Sequence, residues 1–494
     1  MPGHSQAALA AYPELGCENK QVEVATKWGV FTDVYCPTET TFKFLENVLD
    51  EVTALFPYEY LHIGGDECPK DSWKKSNFCQ NLIKEKGLKD EHGLQSYFIG
   101  RMANYLKTKN KTIIGWDEIL EGGLNEGSIV MSWRGTEGGV AAAKEGHKVI
   151  MTPGSHCYFD HYQSPSSSEP VAIGGLTTVK DVYGYEVIPS ELSKDESKFV
   201  WGAQGNVWTE YMPNFGKVEY MALARMTALS EVLHNNIDKR DYEKYQKRLA
   251  SHTRFWKKRL VNIADHQLDV QITASTKSGE GSTAFLESDY PNAKFYCILP
   301  NKEIVPVREG KHHFSESGNY EFYCQSEEQT GNKEAINYVH HLATKANITL
   351  SEPASEAYPG SGPSAIINGI IGSGEKYGGP EWLGFAGKDF EAKIELSSTQ
   401  KLSGISCRFF NGEGQWIYLP SEIEIEISND GKKFTPIAKQ QPKTTPEKIN
   451  TVKIDLDTEA RFVRVIARNH GIIEEGKQGA GHKAWLFVDE IIIN

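Results

Sequence analysis

Three things are missing from the 494-residue sequence: a dense run of Lys and Arg, an apolar stretch of the roughly 18 to 20 residues that a membrane helix needs, and a basic, apolar-centred leader at its start, MPGHSQAALAAYPEL. With a formal net charge of −13, the first absence removes the electrostatic footprint of a nucleic-acid or anionic-membrane binder. The second leaves no membrane span. Cysteine is sparse as well: Cys17, Cys36, Cys68, Cys79, Cys157, Cys297, Cys324 and Cys407 show no CxxC-type spacing, which argues against zinc and leaves disulfides and redox compartment open.

What is present is ordinary globular material, 39% hydrophobic and 24% charged, in a chain long enough for two or three domains. Ten Trp and 22 Tyr suit recognition of apolar sugar faces, although core packing also consumes aromatics.

Up to about residue 265, short apolar runs alternate with amphipathic stretches, the pattern of parallel strands and crossover helices. Strands are predicted at Tyr60-Leu61-His62-Ile63, Thr112-Ile113-Ile114-Gly115-Trp116, Ile129-Val130-Met131-Ser132-Trp133, Lys148-Val149-Ile150-Met151 and Phe199-Val200-Trp201-Gly202-Ala203, and helices over 39–55, 92–107, 137–145, 218–233 and 242–260. Repeating βα units point to a (β/α)8 barrel, with a doubly wound open sheet as the alternative. After about residue 266 strand-like segments separated by Gly, Asn, Ser and Pro run to the end with no long helical pattern, so all-β modules are expected over 266–339, small and sandwich-like, and over 340–494.

The chemistry sits at predicted strand ends. Asp66 and Glu67 follow two glycines that allow a tight turn, and neighbouring carboxylates serve one pocket only where a strand is ending. The next strand ends carry Trp116-Asp117-Glu118, Trp133-Arg134, Tyr158-Phe159-Asp160 and Trp208-Thr209-Glu210. Aromatics with carboxylates at successive strand ends describe an aromatic-walled, acid-lined pocket of the kind that suits a sugar.

The runs MPGHS, HIGGDE, GWDE, SWRG, YFD and WTE, in this order, resemble glycoside hydrolase family 20, the β-N-acetylhexosaminidases, over about residues 1–265. The resemblance implies exo-cleavage of terminal β-linked N-acetylglucosamine or N-acetylgalactosamine by substrate-assisted retaining catalysis, through an oxazolinium-like intermediate formed by the substrate's own acetamido oxygen. It assigns Glu67 as general acid and base, Asp66 as the group that orients the acetamido, and Tyr158 as its hydrogen-bond donor. His4 relays a hydrogen bond toward the acid. Trp116, Trp133 and Trp208 are walls, and Asp160 and Glu210 hydroxyl ligands; His62 reads as a packing residue.

Against that family the barrel is expected to be N-terminally incomplete, without the first two strands and most of the third. An Arg, and the Asp that would pair with His4, have no counterpart here, and His4 is expected to fray. The last segment resembles a discoidin-like (coagulation-factor type C) jelly roll through Ile367-Asn368-Gly369, Glu381-Trp382-Leu383-Gly384-Phe385, LPSEIEIEISNDGKKF and KAWLFVDEI. Such modules often bind sugars at loops, where Trp416 or Tyr418 are candidates, and often carry a structural calcium ion. No other metal or cofactor is expected. The partners are glycans containing N-acetylhexosamine, and the family's usual placement is periplasmic or secreted. The competing class is a non-catalytic glycan-binding protein acting through its last domain.

Overall fold

In the computed structural model, residues 1–26, 29–166, 169–290, 292–326, 329–374, 377–443, 445–477 and 479–494 are described. They form two compact units, one of 1–164 with 170–264, the other of 165–169 with 265–494. The expected segments 266–339 and 340–494 therefore share one unit.

The first unit holds five parallel strands, β1 (Tyr60–His62), β2 (Thr112–Trp116), β3 (Ile129–Ser132), β4 (Val149–Met151) and β5 (Val200–Ala203), hydrogen-bonded in chain order. All five predicted strands exist, each bounded within two residues of its expectation. Sequential order, with a crossover between each parallel pair, belongs to a barrel wall rather than a doubly wound sheet, whose order reverses at a switch point. Rings from β1 and β5 meet, with Tyr60 and Trp201 centroids 5.4 Å apart, so the sheet curls strongly. Helices Glu39–Leu55, Glu91–Thr108 and Glu137–Lys144 lie among the crossovers, and the first two begin at Thr38 and Asp90, whose side chains accept backbone N–H groups of the first turn. Phe42, Leu45, Leu49, Phe98, Met102 and Leu106 from two of these helices pack in one core with Ile113, Val130 and Val149 of the strands. No helix is long and apolar enough to cross a membrane among the described residues.

The second unit is all β apart from short 3-10 turns, in sheets of three, four and seven strands. The largest is built on β6 (Phe390–Phe410) and β7 (Ile449–Arg468), 21 and 20 residues long and paired antiparallel over most of their length. Irregularities between Glu395 and Gln400 and between Leu402 and Gly404 shift the register. They also change which residues point inward, from even positions (Phe390, Ala392, Ile394, Leu396) to odd ones (Ile405, Cys407, Phe409), so both halves of the strand face apolar core. Around the Asn368-Gly369 turn, the Asn368 Oδ1 accepts Ile370 N–H at 2.9 Å and Gly369 N–H goes to Glu490. Among the described residues of this unit, no three acidic, His or Cys side chains each bring one ligand atom within 4.8 Å of the others.

Segment 165–169 is tied into this unit by His266, whose Nε2 lies 3.0 Å from Glu169 and whose Nδ1 lies 2.7 Å from Asp269. Burial lowers the His266 pKa, but the two carboxylates outweigh it and hold the group at about 9. A folded-state value above the unfolded one means that this stabilisation is complete below the ordinary histidine range and is lost as pH rises through about 9. Thermal unfolding of the second unit should fall across that window, and His266→Gln should flatten the dependence. Phe409→Ala, which empties a fully buried site, should cost that unit about 3–5 kcal/mol in a denaturant titration.

Candidate active site

The chain leaves β1 through Ile63 and turns on Gly64 (φ 78°) and Gly65 (φ 100°), then sets Glu67 at φ 43°, a left-handed conformation that a glutamate adopts only under constraint. The constraint is visible. A Cβ on Gly65 would lie 2.4 Å from Ile119 Cγ2, and one on Gly3 would lie 2.8 Å from the carbonyl oxygens of both Asp66 and Glu67. Gln95, from helix Glu91–Thr108, donates to the Gly65 carbonyl at 2.8 Å, and Lys70 donates in turn to Gln95.

His4 does not fray. Tyr35 N–H donates to the Pro2 carbonyl at 3.2 Å, and the His4 Nε2 lies 3.2 Å from Asp66 Oδ2 and 3.3 Å from Glu67 Oε2. The histidine with no expected partner thus has two, both in the carboxylate pair itself. The Asp66 hydrogen bond is the main cause that raises the His4 pKa. Burial pushes the Asp66 carboxyl up, but the hydrogen bond and charge of His4 more than offset it, leaving Asp66 below its usual range and ionised at neutral pH.

All nine expected site residues, His4, Asp66, Glu67, Trp116, Trp133, Tyr158, Asp160, Trp208 and Glu210, line one cavity of about 590 Å³. Trp116 and Trp208 form one aromatic pair, 6.0 Å between centroids, and Trp133 and Tyr158 stack at 6.3 Å with 25° between planes. His62 packs on Trp116 at 4.7 Å, and its ring nitrogen accepts Gly64 N–H at 3.0 Å. Burial drives its pKa down to about 4, so it is a neutral packing residue, as its position in the motif suggests. Burial raises the Tyr158 pKa, keeping its O–H available as a donor. The Asp160 carboxyl, pushed up by burial to about 6, has a buried Oδ1 without a hydrogen-bond partner. An oxygen left unpaired in a cavity wall is a place for a ligand's O–H or N–H.

Several residues to which the sequence assigned no role support the site. Glu118, raised by burial to about 7, accepts the Trp133 indole N–H at 2.9 Å, while Arg134 reaches Asp117 at 3.3 Å and Glu121 at 2.9 Å. Arg225, fully buried, donates to the carbonyls of Phe159, His161 and Thr177 and so fixes the backbone that carries Tyr158 and Asp160. Val30, Phe31, His161 and Ile173 complete the cavity lining from loops. Ligand atoms of His4, Asp66 and Glu67 lie within 4.8 Å of one another, as do the sulfurs of Cys17, Cys36 and Cys79; the first set is engaged in its own ion pairs and the second contains a Cys17–Cys36 disulfide. In the second unit, Tyr418 is buried, whereas Trp416 is 36% exposed on a left-handed residue (φ 63°), its ring stacked on His482 at 4.6 Å.

Two family profiles match: "Glycosyl hydrolase family 20, catalytic domain" over residues 1–236 and "F5/8 type C domain" over residues 347–484. A β-hexosaminidase of Porphyromonas gingivalis is 43% identical over 311 residues, 63% of this chain and 39% of the relative. A β-hexosaminidase of Vibrio furnissii is 34% identical over 235 residues, 47% of this chain and 38% of the relative. The chain thus spans about two fifths of the length of either relative. Among solved structures, an exo-β-N-acetylglucosaminidase from Vibrio harveyi in complex with N-acetylglucosamine aligns with a TM-score of 0.48 at 30% identity, covering 54% of this chain and 42% of the other.

Removing the imidazole should release Asp66: in His4→Ala its pKa should rise toward and past the ordinary aspartate range, read from the carboxyl carbon shift in an NMR pH titration, and an unmoved value would refute the coupling. Gly65→Ala must displace Ile119 and should lower stability by about 1–3 kcal/mol in thermal unfolding.

Proposed function

We propose, for a chain whose residues 1–236 match the glycosyl hydrolase family 20 catalytic domain and residues 347–484 an F5/8 type C domain, hydrolysis of terminal, non-reducing β-linked N-acetylhexosamine from glycans. The observation that carries this reading is the single cavity into which five strand ends deliver their carboxylates and aromatic rings around Asp66 and Glu67.

In this reading the sugar's acetamido oxygen attacks the anomeric carbon, the C–O bond to the leaving group breaks, and Glu67 donates its proton to the departing oxygen. Asp66, ionised beside His4, accepts the acetamido N–H and offsets the positive charge that develops on the ring formed. Tyr158, neutral, donates to the acetamido oxygen and holds it in line. Glu67 then takes a proton from water as water opens the intermediate, so configuration is retained. Trp133, braced by Glu118, and the Trp116–Trp208 pair enclose the N-acetyl group and the sugar face. The unpaired Asp160 oxygen and Glu210 take hydroxyls at the closed end, which limits cleavage to one residue at a time.

The exposed Trp416 on its His482 support is the candidate glycan contact of the second unit, and binding there without catalysis is the competing reading. Placement in an oxidising compartment, periplasmic or secreted, is supported by the Cys17–Cys36 disulfide.

With 4-nitrophenyl N-acetyl-β-D-glucosaminide as substrate, Glu67→Gln should lower kcat by about 10²- to 10⁴-fold, the usual scale of general acid–base assistance. Asp66→Asn should lower it too, and the loss should not be recovered by raising substrate. No turnover by the unaltered chain, together with retained binding on a glycan array that Trp416→Ala abolishes, would leave only the binding reading.

A further inference from the structure

A disulfide joins Cys17 to Cys36, and Val30 and Phe31, which lie between them in the strap of sequence it closes, line the cavity. A third sulfur stands beside the bond. Cys79, on helix Asn77–Glu85, places its Sγ 3.4 Å from that of Cys17 and 3.8 Å from that of Cys36. Helix Asn77–Glu85 starts where the Ser76 Oγ accepts Cys79 N–H at 3.3 Å, so the cysteine occupies its first turn. The sulfurs are enclosed by Val34, Trp73, Ile83 and Leu94, with Cys68 in the same cluster.

We infer that Cys17, Cys36 and Cys79 form a thiol–disulfide exchange site, in which Cys79 is an alternative partner for Cys17 and the strap's closure can be transferred from its own far end to helix Asn77–Glu85. The step conserves atoms and electrons. The Cys79 thiol gives up its proton to solvent, its thiolate attacks the Cys17 sulfur, the Cys17–Cys36 bond breaks, and the electron pair leaves on Cys36, which takes a proton. No oxidant or reductant is consumed. The three sulfurs make a triangle rather than a line, so the collinear attack that exchange requires needs the Cys17–Cys36 bond to shift relative to helix Asn77–Glu85, and not a Cys79 rotamer change alone.

Burial, the main cause, and the negative charge of Glu91 raise the Cys79 pKa, which keeps the thiol protonated and the Cys17–Cys36 pairing in place at neutral pH. Raising the pH supplies the thiolate. After exchange the two ends of the strap are no longer joined to each other. The backbone bonds Cys36 N–H to Leu15 O, 2.8 Å, and Tyr35 N–H to Pro2 O, 3.2 Å, with the Trp73 indole N–H to Tyr35 O, 3.0 Å, then hold its far end.

The test uses the full chain with no added redox agent, held at a series of pH values rising from about 9, because the raised Cys79 thiol ionises above the ordinary cysteine value of about 8.5. Samples are quenched in acid, alkylated with iodoacetamide, digested, and mapped by mass spectrometry. The expected result is a Cys17–Cys79 peptide that grows as Cys17–Cys36 declines, with Cys36 becoming alkylated in step and proteolysis within 18–35 accelerating. Cys79→Ser should keep Cys17–Cys36 and show neither change. Cys36→Ser, treated with oxidised glutathione, should give Cys17–Cys79. Cys17–Cys36 as the sole product at every time, with Cys79 always alkylated, overturns the inference, as does exchange that recruits Cys68 instead. These readouts do not depend on whether the protein hydrolyses glycans.

Discussion

The contact between Gly65 and Ile119 sets the position of everything chemical in the first unit. Where β1 ends, no room exists for a side chain, and the backbone must turn through two glycines before it delivers Asp66 and Glu67. Gly3 presses on the carbonyls of the same two residues from the other side. Held between these close approaches, Glu67 keeps a backbone conformation that costs energy, of order 1–3 kcal/mol for such outliers. The turn fixed this way brings both carboxylates to the cavity wall.

Burial then sorts the acids in and behind the cavity wall into different protonation states. His4 keeps Asp66 charged despite its enclosure, while Asp160 and Glu118, with less cationic company, are pushed up to about 6 and about 7. Asp160 can thus change state close to neutrality while the aspartate beside the reacting centre stays ionised.

The local features of both units were legible in the sequence because they rest on local rules. Short apolar runs between amphipathic stretches located the five strands, and the loaded strand ends carried eight of the nine residues that meet in the cavity, with His4 coming from the resemblance. The supporting residues were not legible. Arg225 and Gln95 are one basic and one polar residue in helices that hold many such residues, and only the fold shows that each donates to a carbonyl 30 or more positions away. Cys17, Cys36 and Cys79 failed every spacing rule because their separations of 19 and 43 residues are closed by tertiary structure rather than by a turn. His4 misled for a similar reason: the acid expected to pair with it is absent, and the site's own carboxylates take its place.

The two longest strands of the second unit, β6 and β7, belong to more than one part of the molecule at once. Each stays in a single hydrogen-bonded ladder across a register shift that turns its inward face over, so the apolar residues on both sides of the shift are held by the same backbone. A fluctuation that peels away one half must break or strain the ladder that anchors the other. Such a sheet behaves like a beam rather than a row of tiles: load applied to a loop at one end is shared along the full 21 residues. Trp416, on the loop that follows β6, is therefore mounted on a stiff support.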